Sequence, residues 1–378
     1  MGVSTFFPSL LSCLGYSRSI RRVFVGYSWG IRMYRVCIGY VSGMCRECIE
    51  IKKKNMRSTC IYESFIVSLQ KIMIAFAQQM DWQTALYRVG SYLRHLLTAR
   101  NTGGHGIHSP YLFEWVRMVM SDENSYYAWD EIEKVRAKML ADEREVAFVD
   151  YGAGRKRDGL EDGSGAAYSL VFSERRRVCD IAKVSLAKKQ YAQMLARLVN
   201  WLGEPLLTSP LRGGIGDWRL AIGDEGLAIV ELGTSLGITT AYMAAMDKRN
   251  RVISYEGCPA VAEIAKANWQ ALGLKNIECR VGEIDVATLA KDLERVDVAF
   301  VDANHTYAGT RAYFKVLVEK VHRKSVLIVD DIHYNAEMEQ AWREICADDR
   351  VTSTMDLYQM GIVFFDPDYW KRDYRLKV

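Results

Sequence analysis

The chain has 378 residues, 49% of them hydrophobic and 25% charged, which suits one large or two smaller globular domains and excludes a chain disordered throughout. Its net charge of +4 is unevenly spread: residues 1–79 hold 11 Lys/Arg against 3 Asp/Glu, a net of +8, and residues 80–378 hold 39 against 43, a net of −4. The body thus lacks a field that gathers phosphate backbones, which argues against a nucleic-acid partner. No apolar run reaches the roughly 18 residues of a membrane-spanning helix, so no membrane partner is expected.

The basic head, 1–79, contains Cys13, Cys37, Cys45, Cys48 and Cys60 and shows no periodic pattern before about Tyr62, where an amphipathic helix could begin. Met1–Gly15 is apolar but lacks the basic start of a secretory signal, and Phe6 stands where myristoylation needs Ser or Thr. Two readings of the head stay open: a disordered basic arm, or an upstream extension that is not translated, with Met80 as the start. Cys45 and Cys48 have no second pair at ligand spacing, so zinc is not expected there. The body's scattered Cys179, Cys258, Cys279 and Cys346 suit a reducing, cytoplasmic location.

Residues 80–216 read as a mainly helical N-terminal cover. Leu86, Val89, Leu93 and Leu96/Leu97 recur at helical spacing and predict a helix from Asp81 to about Arg100. Glycines break it, and Ser109 with Pro110 predicts an N-cap and first turn for a helix over Tyr111–Met120. His105 and His108 lie in that break, where a structured loop explains them better than catalysis does. Glu145–Tyr151 reads as a strand, but the turn Asp150-Tyr-Gly152-Ala-Gly154 opens into a charged, glycine-rich loop instead of a helix, so it is not taken as a nucleotide site. A helix is predicted from about Val184 to Leu202, and 203–216 is the linker to a last domain, 217–378.

In that domain short apolar runs alternate with amphipathic helices, the pattern of a parallel sheet covered on both faces. The runs are Leu227–Gly233, Arg251–Glu256, Ile277–Val281, Val296–Val301 and Ser325–Val329. Val261, Ile264/Ala265, Trp269 and Leu272 define a helix over Pro259–Leu272 that Gly273 stops. Ser353–Leu357 and Gly361–Phe365 are too close for a crossover helix and predict an antiparallel hairpin.

Glu231-Leu-Gly233-Thr-Ser-Leu-Gly237 carries the chemistry. Gly233 permits a sharp strand-to-helix turn and close approach of a ligand, and Gly237 permits close helix packing. An acid at this turn suits a ligand bearing an ammonium group, whereas it would repel a pyrophosphate. Glu256 ends the next strand, where a carboxylate can accept from both hydroxyls of a ribose. Together they define a nucleoside site at the carboxyl ends of adjacent strands.

Glu231–Gly237, Ser254-Tyr-Glu256, Gly282-Glu283-Ile284 and Phe300-Val-Asp302 resemble, in order, the successive motifs of class I S-adenosylmethionine (SAM) dependent methyltransferases, over residues 227–366. Asp302-Ala-Asn-His305-Thr-Tyr307 and Ile328-Val-Asp330-Asp331 further resemble the catechol and macrocin branch of small-molecule O-methyltransferases. The resemblance implies a doubly wound, Rossmann-like α/β fold with a seven-stranded sheet whose last strand is antiparallel. It implies SAM held by Glu231, Gly233, Thr234, Ser235, Gly237, Glu256, Gly282, Glu283, Ile284 and Asp302. In metal-dependent members an Asp after the fourth strand and an Asp-Asn pair after the fifth hold a divalent cation. Here Asp302, Asp330 and Asp331 occupy those places, with Asp331 replacing Asn, so either Mg²⁺ or an acid paired with a general base is open. His305, Asp302 and Asp331 are the candidate catalytic groups, with a histidine bonding a loop carbonyl as the other reading of His305; His333 and Tyr334 would border the acceptor or belong to a structural turn at Asp331–Asn335.

The expectation is methyl transfer to a small or medium polar acceptor, with an O-methyl product. Alternatives are an RNA or protein methyltransferase and a nucleoside-binding module without catalysis. A homodimer is left open.

Overall fold

A computed structural model describes residues 82–99, 102–150, 172–203 and 226–377. The basic head with its five cysteines, the glycine-rich loop after Asp150 and all of the predicted linker 203–216 except Gly203 lie outside the described residues.

Helix α1 (Trp82–Thr98) occupies the predicted range. Helix α2 (Pro110–Trp115) continues into a π turn at Val116–Met120, with Ser109 Oγ accepting from the Leu112 amide at 3.4 Å and Pro110 in the first turn. His105 and His108 are exposed in the preceding loop while Ile107 between them is buried, so the loop docks by its apolar residue. Helix α3 (Tyr127–Ala141) leads to β1 (Glu145–Asp150), which pairs antiparallel with β2 (Phe172–Arg177) as a separate two-stranded ribbon.

The helix predicted over 184–202 is in fact two, α4 (Val178–Ser185) and α5 (Lys189–Gly203). Leu186 is extended (φ −77°, ψ 120°), and Arg136 Nη1 donates to the Ala187 carbonyl at 2.8 Å. The Ser185 hydroxyl donates back to Ile181 O and lies 2.6 Å from Ser235 Oγ, which makes Ser235 the donor between the two. Neither Gly nor Pro marks this break; tertiary hydrogen bonds make it.

The sheet contains β3 (Ala228–Leu232), β4 (Arg251–Glu256), β5 (Ile277–Val281), β6 (Val296–Val301), β7 (Val321–Asp330), β8 (Ser353–Asp356), β9 (Met360–Phe364) and β10 (Arg372–Arg375). Its order is β10-β8-β9-β7-β6-β3-β4-β5, and β9 alone among these strands runs antiparallel to its neighbours. The sheet therefore has eight strands where seven were expected. The additional β10 is a charged four-residue edge strand whose Tyr374 alone is buried, too weak a pattern to stand out in the sequence.

Between the strands lie α6 (Ile238–Ala244), α7 (Pro259–Ala271), α8 (Val286–Asp292), α9 (Tyr307–Leu317) and α10 (Ala336–Ala347). Strand residues alternate between two cores. Ile229, Val298, Phe300, Ile328 and Phe364 face a cluster with Leu112, Trp115, Leu195 and Leu198 of α2 and α5. Val230, Ala299, Leu327 and Val363 face Leu289, Phe314, Leu317, Trp342 and Ile345 of α8, α9 and α10. Burial on both faces explains why the strands read as continuous apolar runs, each large side chain contributing about 1.5–3 kcal/mol. The sheet reverses its strand order at β3, which pairs with β4 on one side and β6 on the other, so the carboxyl ends of these strands border a crevice.

Candidate active site

Backbone geometry at this edge is unusual. Among the described non-glycine residues, positive φ occurs at Ser235 (48°), Asn304 (47°), Asp331 (52°) and Tyr358 (69°), which follow β3, β6, β7 and β8. Such strain gathers where a site holds its backbone against preference.

After β3, Gly233 has φ 98°, and a Cβ there would lie 2.1 Å from the Asp302 carbonyl oxygen. The turn is fastened to both neighbours: the Gly233 and Thr234 amides donate to Tyr255 O at 3.0 and 3.1 Å, and the Asp302 amide donates to Leu232 O at 2.8 Å. Gly237 has φ 74°, and Trp269 Nε1 donates to its carbonyl at 2.8 Å, leaving no room for a side chain. Both glycines are required by the geometry, as predicted from the motif.

Glu231 is 1% exposed. Its Oε2 accepts from Ser254 Oγ at 2.6 Å and from Thr240 Oγ1, while Oε1 is buried without a protein partner. Burial raises the carboxyl to about 7, with the nearby Glu256 carboxylate adding to the rise and the two hydroxyls opposing it. Thr234 lies 2.5 Å from Ser254 Oγ, so its hydroxyl supports Glu231. Glu256 accepts the Ser235 amide at 2.7 Å and the Cys258 amide at 2.8 Å; burial raises its carboxyl and these amides oppose the shift. Glu231 and Glu256 thus share one turn through Ser235 and Ser254.

Gly282, after β5, has φ 122° and donates to Glu256 O at 2.9 Å, with open space where a side chain would stand. Such a backbone can take a flat ring against it. Glu283 is exposed, and Ile284 is half-buried against the second core.

Across the crevice, Asp302, Asp330 and Asp331 converge from β6 and β7. Burial, then the carboxylates of Asp330, Asp331 and Glu231, push Asp302 well above its usual range. Asp330 is raised to about 8 by burial and by Asp331, and its Oδ1 is buried without a partner. Gln359 donates to Asp331 Oδ1 at 2.5 Å. His305 Nε2 lies 3.5 Å from Asp302 Oδ1; burial lowers its pKa, Arg88 adds to that, and Asp331 opposes it. Its ring is 6.0 Å from that of Tyr334, over which Arg88 sits at 4.9 Å.

The sequence-derived site candidates thus lie at the carboxyl ends of the strands or on the turns that follow them. Sequence reasoning misses the supporting groups: the motif assigns Ser254 no role, although a serine in a strand buried on both faces is itself a signal. Thr240 and Gln359 carry no such mark. His333 is buried, with Nε2 3.0 Å from Asp356 Oδ2.

Residues 230–332 match the family model described as "Methyltransferase domain". The chain is similar to an O-methyltransferase of Aspergillus flavus, imqG, at 32% identity over 111 residues, 27% of this chain and 44% of that protein. It is also similar to Protein-L-isoaspartate O-methyltransferase 1 of Archaeoglobus fulgidus, at 43% identity over 60 residues, 16% of this chain and 28% of that protein. The chain therefore spans less than half the length of both curated relatives. An O-methyltransferase from Bacillus cereus, solved in complex with SAH, aligns at TM-score 0.40 and 16% identity over 67% of this chain and 97% of that one. The matched span encloses Glu231, Glu256, Gly282, Asp302, Asp330 and Asp331, so the segment similar to a methyltransferase domain is the one that builds the carboxyl edge of the doubly wound sheet.

Proposed function

We propose that the protein is a SAM-dependent O-methyltransferase acting on a small or medium polar acceptor. The observation that carries this reading is Glu231 Oε1, a buried carboxylate oxygen without a partner beside the Gly233 turn. An ammonium group would satisfy it, Glu256 would hold the ribose, and Gly282 offers bare backbone to a base. SAM has these parts in this order, and when bound it supplies the electrophilic methyl.

The three aspartates fit a hard divalent cation such as Mg²⁺: burial and the neighbouring carboxylates raise Asp302 and Asp330, and Asp330 Oδ1 lacks a partner. A cation there would polarise an acceptor hydroxyl. His305 is the base this chain offers. Burial keeps its imidazole neutral near pH 7, able to take the acceptor's proton, with Asp331 favouring the imidazolium and Asp302 Oδ1 3.5 Å from Nε2. The relatives' printed names, both O-methyltransferases, support oxygen as the nucleophile. A homodimer and a cytoplasmic location remain part of the proposal, as does the division into a head, a helical cover and a 217–378 domain.

Calorimetric titration of SAM, with and without Mg²⁺, tests the site. Glu256→Ala is expected to weaken binding by about 1–3 kcal/mol through unpaired ribose hydroxyls. Unchanged affinity removes Glu256 from the site, and with it the placement of SAM.

A further inference from the structure

Behind the turn that carries Asp331 lies a second cluster, independent of the methyl-transfer reading. His95 of α1, His333 of the β7–α10 turn and Asp356 at the end of β8 are all buried, and one ligand atom from each lies within 4.8 Å of the others. His95 is 5% exposed, His333 8% and Asp356 5%.

The protons do not balance within the protein if both imidazoles are neutral. His95 Nε2 lies 2.9 Å from the Leu376 carbonyl, which only accepts, so Nε2 carries the hydrogen. His95 Nδ1 is then a bare lone pair, buried without a hydrogen-bond partner and 3.4 Å from Asp356 Oδ1, another acceptor. His333 Nε2 is 3.0 Å from Asp356 Oδ2, and Nδ1, also buried and unpartnered, is 3.8 Å from Glu339 Oε2. Whichever nitrogen of a neutral His333 carries its hydrogen, the other faces a carboxylate with a lone pair. Asp356 also accepts the Tyr358 amide at 2.9 Å, and Arg375 Nε stands 3.6 Å from it.

We infer that His95, His333 and Asp356 form a structural site for a divalent transition metal of the zinc class. A cation between them receives the lone pairs of His95 Nδ1 and His333 Nε2 and a carboxylate oxygen. The second nitrogens are then placed as metal-bound histidines place them, Nε2–H of His95 on a carbonyl and Nδ1–H of His333 toward Glu339. Tetrahedral bonds near 2.0 Å set ligand atoms roughly 3.3 Å apart. Here the two imidazoles meet opposite oxygens of Asp356, His95 Nδ1 at 3.4 Å from Oδ1 and His333 Nε2 at 3.0 Å from Oδ2, and one ligand atom from each residue lies within 4.8 Å of the others, so a small inward shift of the side chains brings them to that spacing. Two imidazoles and one carboxylate select a zinc-class ion over Mg²⁺. The Tyr358 ring stacks on His333 at 5.2 Å and lies 5.5 Å from His95, closing the cluster off. The ion would clamp α1 to the turn bearing Asp331 and to the strand end at Asp356.

The test is Co²⁺ titration of the chelator-treated full chain, followed by visible absorption. One equivalent with tetrahedral d–d bands is expected, displaced by Zn²⁺, lost in His95→Gln and kept in Asp331→Asn. Zn²⁺ is expected to raise the Tm of the wild type and leave that of His95→Gln unmoved. Absence of bands in the wild type, or bands that survive His95→Gln, overturns the site in favour of an imidazolium–carboxylate staple. Should that variant not fold, X-ray absorption of the Zn²⁺-loaded wild type decides: a shell of nitrogen and oxygen supports the site, and one containing sulfur overturns it.

Discussion

Glu231 is held as a buried acid poised near neutrality, and the sign of its pH dependence follows. Its folded-state pKa, about 7, lies above the ordinary 4.5, so between those values the folded chain keeps a proton that the unfolded chain has lost. Without ligand, this group's contribution to stability falls as pH rises through that window. Binding runs the other way, because an ammonium ligand selects the ionised carboxylate. SAM affinity is expected to fall as pH drops from about 8 to about 6, and Glu231→Gln is expected to weaken binding and flatten that slope. A slope of equal steepness in the variant assigns the titration to another group. At Gly233, Ala imposes strain of roughly 1–3 kcal/mol from the positive φ alone, before the clash with Asp302 O is counted. Urea denaturation should show at least that loss.

At the scale of elements, the binding turn is held by neighbours distant in sequence. Trp269 of α7 packs on Gly237 and donates to its carbonyl, while Ala265 closes the same contact. Trp269→Ala is expected to lose about 3–5 kcal/mol, measured by urea denaturation. The α4–α5 break serves the same turn by bringing Ser185 to Ser235. Ser185→Ala is expected to weaken SAM binding by about 0.5–1.5 kcal/mol with little change in Tm, the cost of one hydrogen bond beside the ligand. Unaltered affinity would make the break a matter of packing alone.

For the whole molecule, the two faces of the sheet have separate tasks. The N-terminal helices α2 and α5 build one core together with α6, and α8, α9 and α10 build the other, while the crevice lies at the strands' carboxyl edge. The net charge of −4 over residues 80–378 offers no general attraction for RNA. With SAM labelled in its methyl group and a cell extract, label is expected in the small-molecule fraction. Label confined to RNA or protein would overturn the acceptor class.

The sequence by itself determined the doubly wound domain and the residues along its carboxyl edge. Burial on both faces writes each parallel strand as an apolar run, and the positive φ of the tight turn favours glycine at 233 and 237 before any neighbour is counted. Local chemistry also fixed the Ser109 cap and the stop at Gly273. Only the tertiary structure decided what depends on partners far along the chain. The α4–α5 break rests on Arg136 and Ser235, β10 gains its place from β8, and Ser254 and Thr240 matter because they reach Glu231. His95 and Asp356 lie 261 positions apart and leave no spacing to read. Contacts of that range have no period, and folding alone brings them together.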